Sequence, residues 1–275
     1  VISLRSLPEN AFQKIKGVCF DIDDTFSSHG KILPEAYQSL WDLKNAGYFL
    51  IPVTGRPAGW CDLIARFWPI DGVVGENGAF TFYMHEKIRQ RLETLNAADS
   101  RAARSQLATL RLAIQGAFPG AKFASDQDYR EYDLAVDFCE DVPAWPESEV
   151  DRLVAFCQAQ GAIAKVSSIH VNTWFGRYTK IEGIRKFIDF AQKNINPKFP
   201  NLNEFVYIGD SPNDEPMFEA FPESVGVANV RQFIPKMKHP PKYITPSEGG
   251  LGFAELAKFL QNSNRAPAIA GERDD

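Results

Sequence analysis

The patterning of this chain predicts an α/β fold, a parallel sheet interrupted by an inserted α+β unit, on three observations. Short apolar runs alternate with helix-length amphipathic segments up to residue 81, the same rhythm returns after residue 200, and between these stretches strands follow one another with few crossovers. Strands separated by helical segments need crossover connections, which are right-handed and leave the strands parallel. In order, residues 17–20 form a strand, Pro34 opens a helix to residue 45, 48–53 are a strand, Pro57 opens a second helix and 72–75 are a third strand. Proline suits a first helical turn because the N–H it lacks has no intrahelical partner there. In the insertion, 79–84 read as a strand and 99–118 as a helix with Ala103, Leu107, Leu110, Ile114 and Ala117 on one stripe, capped by Asp99 or Ser100. Residues 132–138 alternate as a strand, 147–160 are an amphipathic helix, and 162–166 with 169–175 make a hairpin around Ser167-Ser168. A strand at 204–208, a short helix at 213–220, a strand at 224–227 and a helix at 251–260 complete the sheet. The expected division is a core of residues 1–81 and 178–262, an inserted domain of 82–177, and a flexible tail of 263–275.

Composition narrows the function. The 275 residues are 44% apolar and carry a net charge of −5 with the signs well mixed. Such a chain has no basic field for generic nucleic-acid binding, and no apolar run reaches membrane-spanning length. Cys19, Cys61, Cys139 and Cys157 lack CxxC spacing, which reads as reduced thiols and a cytoplasmic location.

The chemistry begins at Asp21-Ile22-Asp23-Asp24-Thr25, directly after the apolar Val18-Cys19-Phe20. In an extended chain Asp21 and Asp23 point the same way. Two carboxylates so close repel unless a cation, a shared proton or strong donors lie between them. Thr54-Gly55-Arg56-Pro57 places a hydroxyl, a glycine and a helix N-terminus at the tip of the next strand, a setting suited to phosphate. Gly209-Asp210-Ser211-Pro212-Asn213-Asp214 repeats the arrangement with acids, hard oxygen ligands for Mg²⁺. Lys180, where the insertion returns to the core, can neutralise clustered carboxylates. Taken singly, these residues are ordinary turn acids, a turn hydroxyl and a solvated lysine. Together they fall at the carboxyl ends of parallel strands, where open α/β sheets bind ligands.

The set Asp-x-Asp-x-Thr at Asp21 to Thr25, Thr-Gly-Arg at Thr54 to Arg56, Lys180, and Gly-Asp-x-x-Asn-Asp at Gly209 to Asp214 resembles the haloacid dehalogenase-like (HAD) superfamily. Glu76-Asn77-Gly78-Ala79 before the insertion resembles its subgroup with a C2B-type cap, which includes sucrose-, trehalose- and mannosyl-3-phosphoglycerate phosphatases and the phosphomannomutases. The resemblance implies a Rossmann-like core and a Mg²⁺-dependent phosphatase acting on a small phosphorylated metabolite, most plausibly a sugar phosphate. It implies that Asp21 is the nucleophile that becomes an aspartyl-phosphate and Asp23 the general acid and base. Thr54 and Lys180 would bind the phosphoryl oxygens. Asp21, Asp210 and the backbone carbonyl of Asp23 would hold Mg²⁺, with Asp214 on Lys180 or a metal-bound water. Two positions depart from the pattern: Asp24 stands where relatives often have glycine, and Ile181 where glycine usually follows the lysine. A phosphomutase of the same fold and a non-catalytic binder of a phosphorylated ligand remain as alternatives, although a binder has no need of both Asp21 and Asp23.

Substrate choice is expected in the insertion. On the strand at 169–175, Ser168, His170, Asn172 and Trp174 share one face, and Ile169, Val171, Thr173 and Phe175 the other. The apolar face should pack on the cap helices. The polar face then closes over the site and offers His170, Asn172, Arg130 or Arg177, together with Gly55, Arg56, Asn77 and Asn213 from the core, to the substrate.

Overall fold

The computed structural model describes residues 1–8, 10–167 and 169–263. From residue 264 onward the expected tail lies outside the described residues, as does Ser168. In chain order the elements are β1 (Ile2–Ser3), β2 (Gly17–Phe20), α1 (Pro34–Asn45), β3 (Phe49–Pro52), α2 (Ala58–Phe67), β4 (Val73–Gly75), β5 (Phe80–His85), β6 (Ile88–Glu93) and α3 (Ala97–Ala117). There follow β7 (Lys122–Phe123), β8 (Asp133–Asp137), α4 (Glu147–Ala159), β9 (Ile163–Val166), β10 (His170–Trp174), α5 (Lys180–Asn194), β11 (Phe205–Gly209), α6 (Glu215–Ala220), β12 (Glu223–Gly226), β13 (Tyr243–Ile244) and α7 (Gly249–Ser263).

A parallel sheet of order β1-β13-β12-β11-β2-β3 forms the core, and β4 continues it through a parallel bridge between Val53 and Val74. Helices cover both faces, so the central strands are apolar on both. Val18, Phe20, Val206 and Ile208 pack with Leu40 and Leu43 of α1 and Leu256 and Leu260 of α7. Cys19, Phe205 and Tyr207 pack on the other side with Ile184 and Phe187 of α5 and with Met217 and Phe218 of α6.

The inserted segment carries the antiparallel sheet β7-β8-β10-β9. Leu134, Val136, Val171 and Phe175 bury one face of it against Leu107, Leu110 and Ile114 of α3 and Val150 and Leu153 of α4. Asp133, Asp137, His170 and Asn172 on the opposite face are nonetheless buried, because that face lies against the core.

Two expectations change. The cap of α3 is Asn96, whose side chain accepts from the Ala98 and Asp99 amides, so the helix starts ahead of Asp99 and Ser100. The sequence reading also passed over β6, Ile-Arg-Gln-Arg-Leu-Glu, which pairs with β5. Its charged side chains hide the strand pattern: Arg89 lies over the Phe82 ring and Arg91 over the Phe80 ring, so guanidinium groups do the covering that apolar side chains usually do.

Candidate active site

Strands β2 and β11 deliver their acids to one pocket. It is lined by Asp21, Asp23, Arg56, Asp210 and Asn213 of the core and by Arg130, His170 and Asn172 of the insertion, among others. The Asp21 amide donates to the Ile208 carbonyl (3.0 Å), after which the chain turns, the Phe26 and Ser27 amides both donating to the Ile22 carbonyl. Asp21 and Asp23 therefore share the pocket through a turn and not through strand alternation, since β2 ends at Phe20. Asp24 sits at φ 56°, the left-handed region that aspartate tolerates better than most residues.

Lys180 organises the floor. Its Nζ donates to Asp21 Oδ1 (2.8 Å) and to Asp214 Oδ1 (3.0 Å), and its side chain is 6% exposed. Asp214 is saturated, for Tyr207 Oη donates to its Oδ1 (2.6 Å) and the Asp210 and Ser211 amides donate to its Oδ2. Thr25 donates to Asp210 Oδ1 (3.2 Å), and Asn229 Nδ2 donates to the Asp24 carbonyl (3.0 Å) and to Asp210 Oδ2 (3.4 Å). Asn229 had no signal in the sequence reading, because its turn is distant from every motif.

Burial raises the Asp21 carboxyl to about 8; Lys180 opposes the rise, while Asp214 and Asp23 add to it. Burial, then Asp214 and Asp21, push Asp210 well above the usual carboxylate range. For Lys180 burial acts downward, but the two carboxylates outweigh it and hold the ammonium charged.

Asp21, Asp210 and Asp214 offer oxygens that all lie within 4.8 Å of one another. Three buried carboxylates around one ammonium leave a negative excess that a divalent cation would neutralise, and the donors are all hard oxygens, which suits Mg²⁺. With Asp214 saturated, Asp21 and Asp210 hold the oxygens best placed for a metal. The Asp23 carboxylate lies outside this cluster.

Asp23 is instead gripped by Arg56, whose Nε donates at 3.1 Å and whose Nη2 donates at 2.8 Å. Arg56 thus faces an acid of the site. Thr54 is fully buried beneath the pocket, its hydroxyl accepting from the Arg56 amide (3.0 Å). Gly55 lies against Asn77 and Asn172, and its carbonyl accepts from Arg130 Nη1 (2.9 Å). Arg177 is exposed and does not line the pocket. Sequence reasoning missed the cap acids: Asp133 gathers Asn77, Asn172 and Arg130, Asp126 binds Arg130, and Glu140 approaches both Arg56 and His170. In sequence they resemble any strand or turn acids, and only the folded chain brings them to the pocket.

One glycine sets the spacing of the whole site. Gly78 has φ 108°, and a Cβ there would lie 2.1 Å from the carbonyl oxygen of Thr179, the cap residue of the helix that starts with Lys180. Gly78→Ala is expected to destabilise the protein by more than about 2 kcal/mol, combining positive-φ strain with a backbone clash. A thermal melt checks this; an unchanged melting temperature would show that the Glu76–Gly78 turn does not set the position of α5.

A sequence model of the haloacid dehalogenase-like hydrolases matches residues 18–107. Nothing among curated proteins matches the chain. Solved structures that resemble it include a protein of Thermoplasma acidophilum (TM-score 0.68, 17% identity, covering 90% of this chain and 99% of the other). They also include a phosphatase of the haloalkanoate superfamily from Bacteroides thetaiotaomicron (TM-score 0.61, 17% identity, 94% and 98%). A third is the sucrose-phosphatase of Synechocystis, solved with sucrose and phosphate (TM-score 0.60, 16% identity, 89% and 98%). The matched sequence holds only the first two motifs, while the fold extends over most of the chain and seats Lys180 and Asp210 beside Asp21. The chain is therefore similar to the haloacid dehalogenase-like hydrolases in sequence over residues 18–107, and it shares the fold of these solved structures over most of its length.

Proposed function

We propose that this protein is a Mg²⁺-dependent phosphatase of a small neutral polyol or sugar phosphate, with residues 82–177 as its cap. The observation that carries the reading is Lys180 bridging Asp21 and Asp214 in a buried, negatively charged cluster. An ammonium at 2.8 Å fixes one oxygen of Asp21 and leaves the other to attack. In the proposed reaction Asp21 forms a bond to phosphorus as the ester P–O bond breaks, and Asp23 gives its proton to the leaving alkoxide. Asp23 then takes a proton from the water that displaces phosphate from Asp21. Mg²⁺ held by Asp21, Asp210 and the Asp23 carbonyl would neutralise charge on the transferring group. Lys180 and the turn at Thr54 would receive its oxygens, and closure of the cap would exclude water.

The substrate's organic part is read from the seam between core and cap. Arg56 is bound by Asp23, Asp126 and Glu140, and Arg130 by Asp126 and Asp133, so two guanidinium groups face four carboxylates. Among the described residues no cation of the seam is left over for a second anionic group, whereas His170, Asn172 and Asn77 can meet hydroxyls. The same balance weighs against a phosphomutase, which must accommodate a bisphosphate. A phosphate-release screen with and without Mg²⁺ tests this. Neutral sugar monophosphates should exceed phosphoglycerates and sugar bisphosphates in kcat/KM by at least about tenfold, equivalent to ~1.4 kcal/mol of like-charge penalty. Metal-independent release, or a preference for bisphosphates with phosphate returned to the sugar, would overturn the reading.

A further inference from the structure

The loop after β8 is built to present one side chain. Asp137, 1% exposed at the end of that strand, accepts from three consecutive amides, those of Cys139 (2.9 Å), Glu140 (2.8 Å) and Asp141 (2.8 Å). One buried carboxylate thereby fixes residues 139–141, while the Phe138 amide and carbonyl are held by the Ile169 carbonyl and the Trp145 amide. Held this way, the Glu140 side chain crosses the seam. Its Oε1 accepts from Arg56 Nη2 (3.4 Å), and its Oε2 lies 2.9 Å from His170 Nε2. Arg56 Nη2 is the same nitrogen that donates to Asp23 Oδ1 at 2.8 Å. A continuous polar chain therefore runs from His170 on the cap sheet through Glu140 and Arg56 to Asp23.

We infer that Glu140 is a positioning residue through which the cap sets the orientation of Asp23. The guanidinium is anchored from several sides: Trp60 stacks on it at 4.6 Å, Asp126 Oδ2 lies 3.6 Å from its Nη1, and Glu140 holds its Nη2. Of these anchors Glu140 is the one that also reaches the cap strand carrying His170. Glu140 and His170 belong to the insertion and Arg56 to the core, so the chain is complete only with the two units together. Asp23 is then aimed at the leaving oxygen when the cap is seated, and it can rotate with Arg56 when the cap is not. A hydrolase gains from this, because proton transfer to the leaving group is confined to the closed site.

The inference rests on the phosphatase reading, and the test separates the two. Glu140→Gln keeps size and loses charge, and Glu140→Asp keeps charge and loses reach; the side chain is 31% exposed, so both variants should fold. The probes are aryl phosphates of graded leaving-group basicity, 4-nitrophenyl, phenyl and 4-methoxyphenyl phosphate, none of which bears a sugar for His170 to recognise. With Asp23 misoriented, the loss in kcat/KM should grow with basicity, reaching about tenfold on 4-methoxyphenyl phosphate, a part of the ~10²- to 10⁴-fold that general acid catalysis supplies. KM should move less than kcat in both variants. An equal loss on all three phosphates, or an unchanged dependence on the leaving group, overturns the positioning role while leaving the phosphatase intact. A wild type that releases phosphate neither from these nor from the neutral sugar monophosphates overturns the phosphatase reading, and the inference falls with it; activity on the sugar phosphates alone moves the comparison to those substrates, where an unchanged kcat in both variants overturns the positioning role.

Discussion

Asp21→Asn is expected to abolish turnover and, in the absence of metal, to make the protein more stable than wild type. Turnover fails because asparagine cannot form the acyl-phosphate bond, and a loss above about 10⁴-fold is the scale seen when a covalent enzyme loses its nucleophile. The gain in stability follows from crowding. Asp21 shares its surroundings with Asp210 and Asp214, and among the described residues Lys180 alone offsets their charge. An amide oxygen can still accept from Lys180 Nζ while removing a buried charge, worth about 1–3 kcal/mol at pH 8 and roughly 5 °C in melting temperature. The pH dependence has a definite sign. The folded Asp21 carboxyl titrates at about 8 against an ordinary 3.8, so the folded metal-free protein keeps a proton that the unfolded chain has released. Stability from this group is full below pH 4 and is lost as pH rises toward 8. Thermal melts of wild type in chelator should therefore fall between pH 4 and 8 more steeply than those of Asp21→Asn, and Mg²⁺ should recover most at the alkaline end. If the variant is less stable than wild type at pH 8, the carboxylate is not under strain and the case for a cation weakens.

What the sequence made legible follows from how local each signal was. Strands β2, β3 and β11 were readable because strands buried on both faces must be apolar throughout, and the acids at Asp21 and Asp210 stood out against those runs. Thr54-Gly55-Arg56 could be placed at a strand tip, but its arginine could not be assigned to Asp23, because that contact depends on the turn at Ile22–Ser27. The cap was readable on its apolar face, where Val171 and Phe175 repeat every second or fourth residue. Its polar face carried no local mark of burial, since burial of Asp133, Asp137 and His170 depends on the core pressing against it. Glu140 and Asn229 had no local mark at all. Their meaning comes from partners 84 and 205 positions away, Arg56 and Asp24.

Lys180→Met tests the same cluster from its positive side, and here activity and stability should fall together. Methionine fills similar volume but removes two charged hydrogen bonds and leaves Asp21 and Asp214 facing each other with no cation between them. Breaking a buried ion pair from one side typically costs about 3–5 kcal/mol, which for a chain of this size is roughly 10 °C. The folded ammonium is held above its ordinary value, so its contribution is constant through neutral pH and is lost as pH climbs above the ordinary lysine value toward the raised folded one. Any pH dependence of the deficit between pH 5 and 9 must then come from the carboxylates. Without the ammonium, Asp21 and Asp210 accept protons at still higher pH, so the deficit should be greatest near pH 8 and shrink toward pH 5. Added Mg²⁺ should restore part of the melting temperature by supplying positive charge, yet not the turnover, because a metal on Asp21 and Asp210 does not replace the group that holds Asp21 Oδ1 in place. Recovery of turnover with metal would mean that Lys180 acts as bulk charge alone, and an equal deficit at pH 5 and pH 8 would place its partners elsewhere than on these carboxylates.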